Sequence, residues 1–172
     1  MKRVILAIGL VVLLAGLASA QPAPVTAEVA VTAVVNGVWR LTLNTLAVNY
    51  ALDPGATDAT QSVTANVRTN QNIDWGLQLS QDQDLENTAD PTQTIPSDPN
   101  FTFAGVGGSA AWAYQGPFPG SPTTAYNADD ATEWKVMGAG LNLVTTYTLT
   151  IPGDQTAGTY TNTITYTLTA LP

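Results

Sequence analysis

The sequence predicts an all-β chain folded as a single antiparallel β-sandwich with a loop-rich insertion. Three observations carry that expectation. Apolar residues alternate with polar ones through most of the chain, turn residues interrupt the alternation about every ten to fifteen positions, and no stretch beyond the N-terminal segment keeps a helical period.

Met1-Lys2-Arg3 is positively charged, Val4 to Leu17 is an uninterrupted run of apolar residues and glycines, and Ala18-Ser19-Ala20 has the small side chains of a cleavage site. This pattern predicts a signal peptide over residues 1–20, cleaved to leave a secreted, extracellular domain of residues 21–172 at the cell surface. The apolar run is shorter than the roughly 20 residues that cross a bilayer, so no membrane span is expected in the mature chain. Without Lys2 and Arg3, three basic residues stand against 13 acidic ones, a net charge of about −10. So acidic a surface disfavours nucleic acid and anionic lipid, which both reward lysine and arginine.

Val25, Ala27, Val29, Val31, Ala33 and Val35 fall on one face of a first strand, and Trp39, Leu41 and Leu43 on one face of a second. Asn36-Gly37 between them is a strong hairpin signal, yet a two-residue turn would set the valine face opposite the tryptophan face. The expectation is a three-residue loop or bulge at Asn36 to Val38, or a first strand that pairs elsewhere. Leu46, Val48 and Tyr50 suggest a short strand ended by the Asp53-Pro54-Gly55 turn. Val63, Ala65 and Val67 then alternate inward against Ser62, Thr64, Asn66 and Arg68, and Trp75, Leu77 and Leu79 form the next inward face. From about 81 to 140, glycine, proline and aspartate take over among scattered aromatics. This section is expected to be an elaborated face, with short strands at Phe101 to Phe103, Ala111 to Tyr114 and Glu133 to Met137.

After Tyr147, Leu149 and Ile151, the turn Pro152 to Gly158 leads into a closing stretch that alternates without a break. Tyr160, Asn162, Ile164, Tyr166, Leu168 and Ala170 share one face, while Thr161, Thr163, Thr165, Thr167 and Thr169 share the other. Threonine is stiff at χ1, which suits a pleated surface, and its hydroxyl keeps the outer face wet. One long strand is expected here, paired with Tyr147 to Ile151. Asp154 to Tyr160 resembles the tyrosine corner of immunoglobulin-like sandwiches, which implies that the Tyr160 hydroxyl bonds to backbone upstream.

The spacing of Tyr160, Ile164-Thr165-Tyr166, Leu168 and Pro172 also resembles the closing signature of the WxL domain family of bacterial cell-surface proteins, with Tyr166 where the family has tryptophan. Trp75-Gly76-Leu77 supplies a first Trp-x-Leu. The resemblance implies a WxL-like extracytoplasmic domain held non-covalently at the cell wall. It places wall binding on Trp75, Leu77, Tyr166 and Leu168, with peptidoglycan or an associated wall polymer as partner.

Histidine and cysteine are both absent, which removes His-based triads, thiol nucleophiles and the usual transition-metal ligands. Asp82-Gln83-Asp84-Leu85-Glu86-Asn87 lacks the central glycine and distant glutamate of an EF-hand. That stretch and Asp129-Asp130 with Glu133 read as solvated acidic loops. No metal, cofactor or catalytic residue is expected, and the protein is expected not to be an enzyme. Trp112, Tyr114 and Trp134 are candidates for a sugar-stacking surface.

Three functions follow. The first is attachment to the cell wall, implied by the family resemblance. The second is a structural or adhesive subunit of a fibre or surface layer, in which Val25 to Val35 completes the sheet of another copy or of another surface protein. The third is a carbohydrate-binding accessory domain. A free N-terminal arm favours the second, and a hairpin folded back onto Trp39 counts against it.

Overall fold

The computed structural model describes residues 29–129 and 132–172. The segment Met1–Ala20 lies outside the described residues, as do Val25–Glu28 of the first expected strand and Asp130 of the second acidic cluster. The chain divides into two units, residues 1–35 and 36–172. In the first, none of the described residues belongs to a strand, and Val29, Val31, Val34 and Val35 are 82 to 87% exposed.

The second unit is nearly all β, in three antiparallel sheets. The largest has the order β1 (Trp39–Leu43), β2 (Ala59–Thr69), β9 (Val136–Leu149), β6 (Phe101–Val106) and β7 (Gly116–Pro117). A second has the order β11 (Ile164–Ala170), β3 (Trp75–Gln81) and β8 (Thr123–Ala128). The third has the order β10 (Tyr160–Thr161), β4 (Leu85–Asn87) and β5 (Thr94–Ile95). A helical turn at Ser97–Asn100 leads into β6.

The alternation seen in the sequence sets the buried faces. Val63, Ala65 and Val67 of β2 and Leu143, Tyr147 and Leu149 of β9 point to one side of the largest sheet, together with Phe101 and Phe103 of β6. They share a core with Trp75, Leu77 and Leu79 of β3, Tyr126 and Ala128 of β8, Leu85 of β4 and Ile95 of β5. The long β2–β9 ladder has one irregularity, between Val67 and Thr69. Gly140 lies at it with φ +78°, where a Cβ would stand 2.7 Å from the Val67 carbonyl oxygen, so glycine is required there.

Several expectations are corrected. Among the described residues no hairpin forms at Asn36-Gly37: Trp39 pairs with Thr69, and Leu41 and Leu43 meet Val67 and Ala65. The groups that a turn would use are already bonded. Asn70 accepts the Val38 N–H at 2.6 Å and donates its amide to the Asn36 carbonyl at 2.9 Å. Leu46, Val48 and Tyr50 form no strand. Asn44 makes the last bonds to Thr64, at 3.0 Å and 2.7 Å, and the chain then leaves the sheet. Leu46 is 93% exposed, while Val48 and Tyr50 pack against the core.

The closing stretch has the expected faces, threonines outward and Ile164, Tyr166 and Leu168 inward, but it is two strands. β10 pairs with β4 and β11 with β3, so one segment switches between two sheets at Asn162–Thr163. The Asp82–Asp84 turn holds the switch, with Thr163 donating to the Asp82 carboxylate at 2.8 Å and accepting from the Asp82 N–H at 3.1 Å. Tyr147 to Ile151 is therefore not its ladder partner; β9 lies between β2 and β6. The section from 81 to 140 is partly stranded, as expected, but it is part of the core and not a loop-rich insertion beside it. It supplies β6 and β8, with Phe101, Phe103, Phe118 and Tyr126 in the core. Of the short strands expected there, Phe101 to Phe103 is part of β6, Ala111 to Tyr114 reduces to a single bridge from Trp112 to Tyr126, and Val136 opens β9. The bond expected of Tyr160 is present: its hydroxyl donates to the Thr156 carbonyl at 2.7 Å.

Candidate functional site

β1 covers only the half of β2 from Ala65 to Thr69. Ala59 to Val63 is left with a strand partner on one side alone, β9. β10 and β11 are likewise the outermost strands of their sheets. Between these edges the core opens into a cavity of about 760 Å³. Val63, Phe101, Tyr147 and Leu149 line it from the largest sheet, and Leu85, Ile95, Tyr160, Ile164 and Tyr166 line it from the other two. Residues of the segment Thr45 to Pro54 line it as well. Interiors are normally packed with few voids larger than a water molecule, so an opening of this size beside a core marks a place where something else fits.

The seam mixes apolar and polar groups and is almost uncharged, Asp53 being the one charged side chain among the described residues that line it. Its polar side chains are threonines, asparagines and Gln155 toward the rim and tyrosine hydroxyls toward the core. Tyr147 and Tyr166 hydrogen-bond to each other at 2.7 Å, and the Tyr50 hydroxyl donates to the Tyr147 carbonyl at 3.3 Å. Burial pushes Tyr50 up to about 12, and it holds Tyr166 and Tyr147 above the ordinary range, with the neighbouring hydroxyl adding to the effect on Tyr147. At neutral pH these groups act as neutral donors and acceptors.

A second polar cluster sits at the other end of the core. Glu133, read from the sequence as part of a solvated acidic loop, is buried. Its carboxylate accepts from the Tyr126 hydroxyl and from the Ser109 N–H at 2.6 Å, while its backbone carbonyl accepts from Trp75 Nε1 at 2.8 Å. Burial and the bonded carboxylate push Tyr126 up to about 12. The cluster ties the loop before β9 onto β3 and β8, and a lone glutamate gives no sequence signal that it will be enclosed.

The structure brings the two Trp-x-Leu-like motifs together. Leu168 pairs with Leu77, and Ala170 with Trp75, across the β3–β11 ladder. Trp75 and Leu77 have zero exposure and Tyr166 and Leu168 are half-buried, so all four side chains hold the sheets together. The three aromatic candidates do not meet as one surface. Trp112 lies edge-on to Tyr126, with centroids 5.6 Å apart, and rests where a side chain on Gly105 would collide with its ring. Tyr114 tilts against Phe103 at 5.8 Å and donates its hydroxyl to the Pro117 carbonyl at 2.7 Å. Trp134 is half-buried, and its ring N–H has no partner.

The acidic loop residues serve as turn caps. The Thr163 N–H holds the Asp82 carboxyl below the usual carboxylate range, and Asp84 accepts from the Ser97 N–H at 2.9 Å. Among the described residues, no group of three or more acidic side chains is placed to hold a metal ion. Also among them, no helix is long and apolar enough to cross a membrane. No family model matches the chain, and no curated protein matches it.

Proposed function

We propose that the protein is a secreted, non-enzymatic structural subunit of an extracellular surface assembly, joined to its neighbours by β-strand addition. In this reading the three sheets amount to one antiparallel β-sandwich of immunoglobulin-like kind, left open along one seam. The Tyr160 bond to Thr156 supports the immunoglobulin-like part of it. The observation that carries the reading is the seam itself, a nearly uncharged opening onto the core, bounded by strand edges that have no further strand partner among the described residues. Unpaired edges next to an open core are what strand addition uses: backbone bonds give affinity and alternate side chains fill the gap.

Sedimentation and electron microscopy of residues 21–172 over a range of concentrations test it. Linear oligomers that grow with concentration, without added wall material, are the expected result. A protein that stays monomeric throughout and pellets only with purified cell wall would overturn strand addition in favour of wall attachment. That second reading has one observation behind it, the direct pairing of the two Trp-x-Leu-like motifs on β3 and β11. In that case the buried pair would build the wall-binding face from behind.

A further inference from the structure

We infer that the seam is an acceptor groove and that its occupant is the arm Val29–Val35 of a second copy. This rests on the strand-addition reading and adds to it the donor, the acceptor and the direction of growth. The arm has the alternating pattern of a strand without forming one. Its valines are 82 to 87% exposed, and none of its described residues belongs to a strand. The acceptor has the complementary lack, since Tyr160 to Tyr166 forms a rim as long as the arm, with no strand of the described residues on its outer side.

Charge points the same way. The whole chain carries a formal net charge of −8, so two copies repel over most of their surface. The arm from Val29 to Val35 has no charged residue, and the groove, among the described residues, has Asp53 alone. Added along the rim, the arm would turn Val29, Val31, Ala33 and Val35 inward, and Thr32 outward beside Thr161, Thr163 and Thr165.

Direction follows from β2. The chain joins the folded unit at Asn36 to Trp39, bonded to Asn70 and paired with Thr69. The groove opens at the opposite end of the same strand, beside Leu43 and Val63. Donor root and acceptor therefore lie at opposite ends of the folded unit. Each copy can give an arm to one neighbour while receiving one from another, a head-to-tail contact that propagates as a filament.

The absence of cysteine allows a direct test, because introduced thiols have no competitors. Residues 21–172 carrying Thr32→Cys would be mixed under mild oxidation with chains carrying Thr161→Cys, Thr163→Cys or Thr165→Cys. Chains carrying Val106→Cys, an exposed position on β6, serve as control. Neighbouring strands lie about 4.7–4.9 Å apart, within disulfide reach, so a linked dimer is expected with at least one of the three threonine positions and none with Val106→Cys. Adding Val29→Asp and Val31→Asp to the donor should abolish the link with no change in melting temperature. Equal linkage to Val106→Cys would overturn the groove as acceptor while leaving assembly standing. Linkage within one chain, in a diluted double variant, would mean that the arm fills its own groove and would overturn the second copy. Monomers without linkage would sink both the groove and the assembly reading.

Discussion

At the Trp75 end of the core, Trp75, Leu77, Tyr126 and Leu143 reach zero exposure, and the polar atoms of Trp75 and Tyr126 are bonded to Glu133. At the Tyr147 end, the same faces part around a cavity of about 760 Å³, lined in part by a segment that forms no strand. Val63 beside the opening is buried like Val67 beside the closed end, but beyond Val63 the alternation stops, at exposed Thr60, Gln61 and Ser62. The edge differs as well. Where β1 covers β2 the core is sealed, and where β1 has departed it is open. Burial pattern makes a face, and a neighbouring strand closes it.

Four measurements would break or sharpen that contrast. Trp75→Ala should cost the most, about 3–5 kcal/mol in denaturant unfolding, because it empties the sealed end. A loss below about 1 kcal/mol would mean that the sealed end does not carry the stability. Glu133→Gln should cost about 1–3 kcal/mol, since the Tyr126 hydroxyl and the Ser109 N–H lose a charged acceptor. If its melting temperature matches the parent, the clamp is incidental.

Alkaline titration probes both ends at once. Tyr50 at the seam and Tyr126 at the sealed end stay protonated in the folded state up to about 12, whereas unfolded tyrosine ionises near 10. Between those values the folded state binds more protons than the unfolded, so stability falls as pH rises. The contribution is whole below about 10, and thermal melts at stepped pH should show the decline begin there. A flat profile to pH 12 would contradict the assigned burial. The smallest effect is expected from Val48→Ala, in the segment lining the seam, at about 1 kcal/mol or less. A cost as large as that of Trp75→Ala would mean that this segment belongs to the closed core.

The periodic parts of the fold were legible in the sequence. The faces of β2, β3 and β11 follow from alternation, and the Tyr160 bond from the resemblance to a tyrosine corner. Partnership was not legible, because period two says which side a residue faces and nothing about which strand lies beside it. The closing stretch therefore read as one strand, although Asp82 and Gln81 interrupt it at Asn162–Thr163. The middle section was legible only in part, for a different reason. Phe101 to Phe103 reads as a strand, but Thr123 to Ala128 follows glycine and proline and carries too few alternations to stand out. For the seam, the sequence held one clue, the conflict of faces at Asn36-Gly37. That conflict leaves the first valine stretch without a local partner.

Thr163 and Asp82 bond across 81 positions of sequence, and the whole of β11 pairs with β3 over comparable spans. Loop closure of that length is unfavourable until the ladder forms, which places such sheets among those that fold in milliseconds to seconds. For that interval β3 is a bare edge. A nascent chain that has β3 but still lacks β11 is therefore at its most adhesive, and the order in which the two strands become available governs its risk of aggregation.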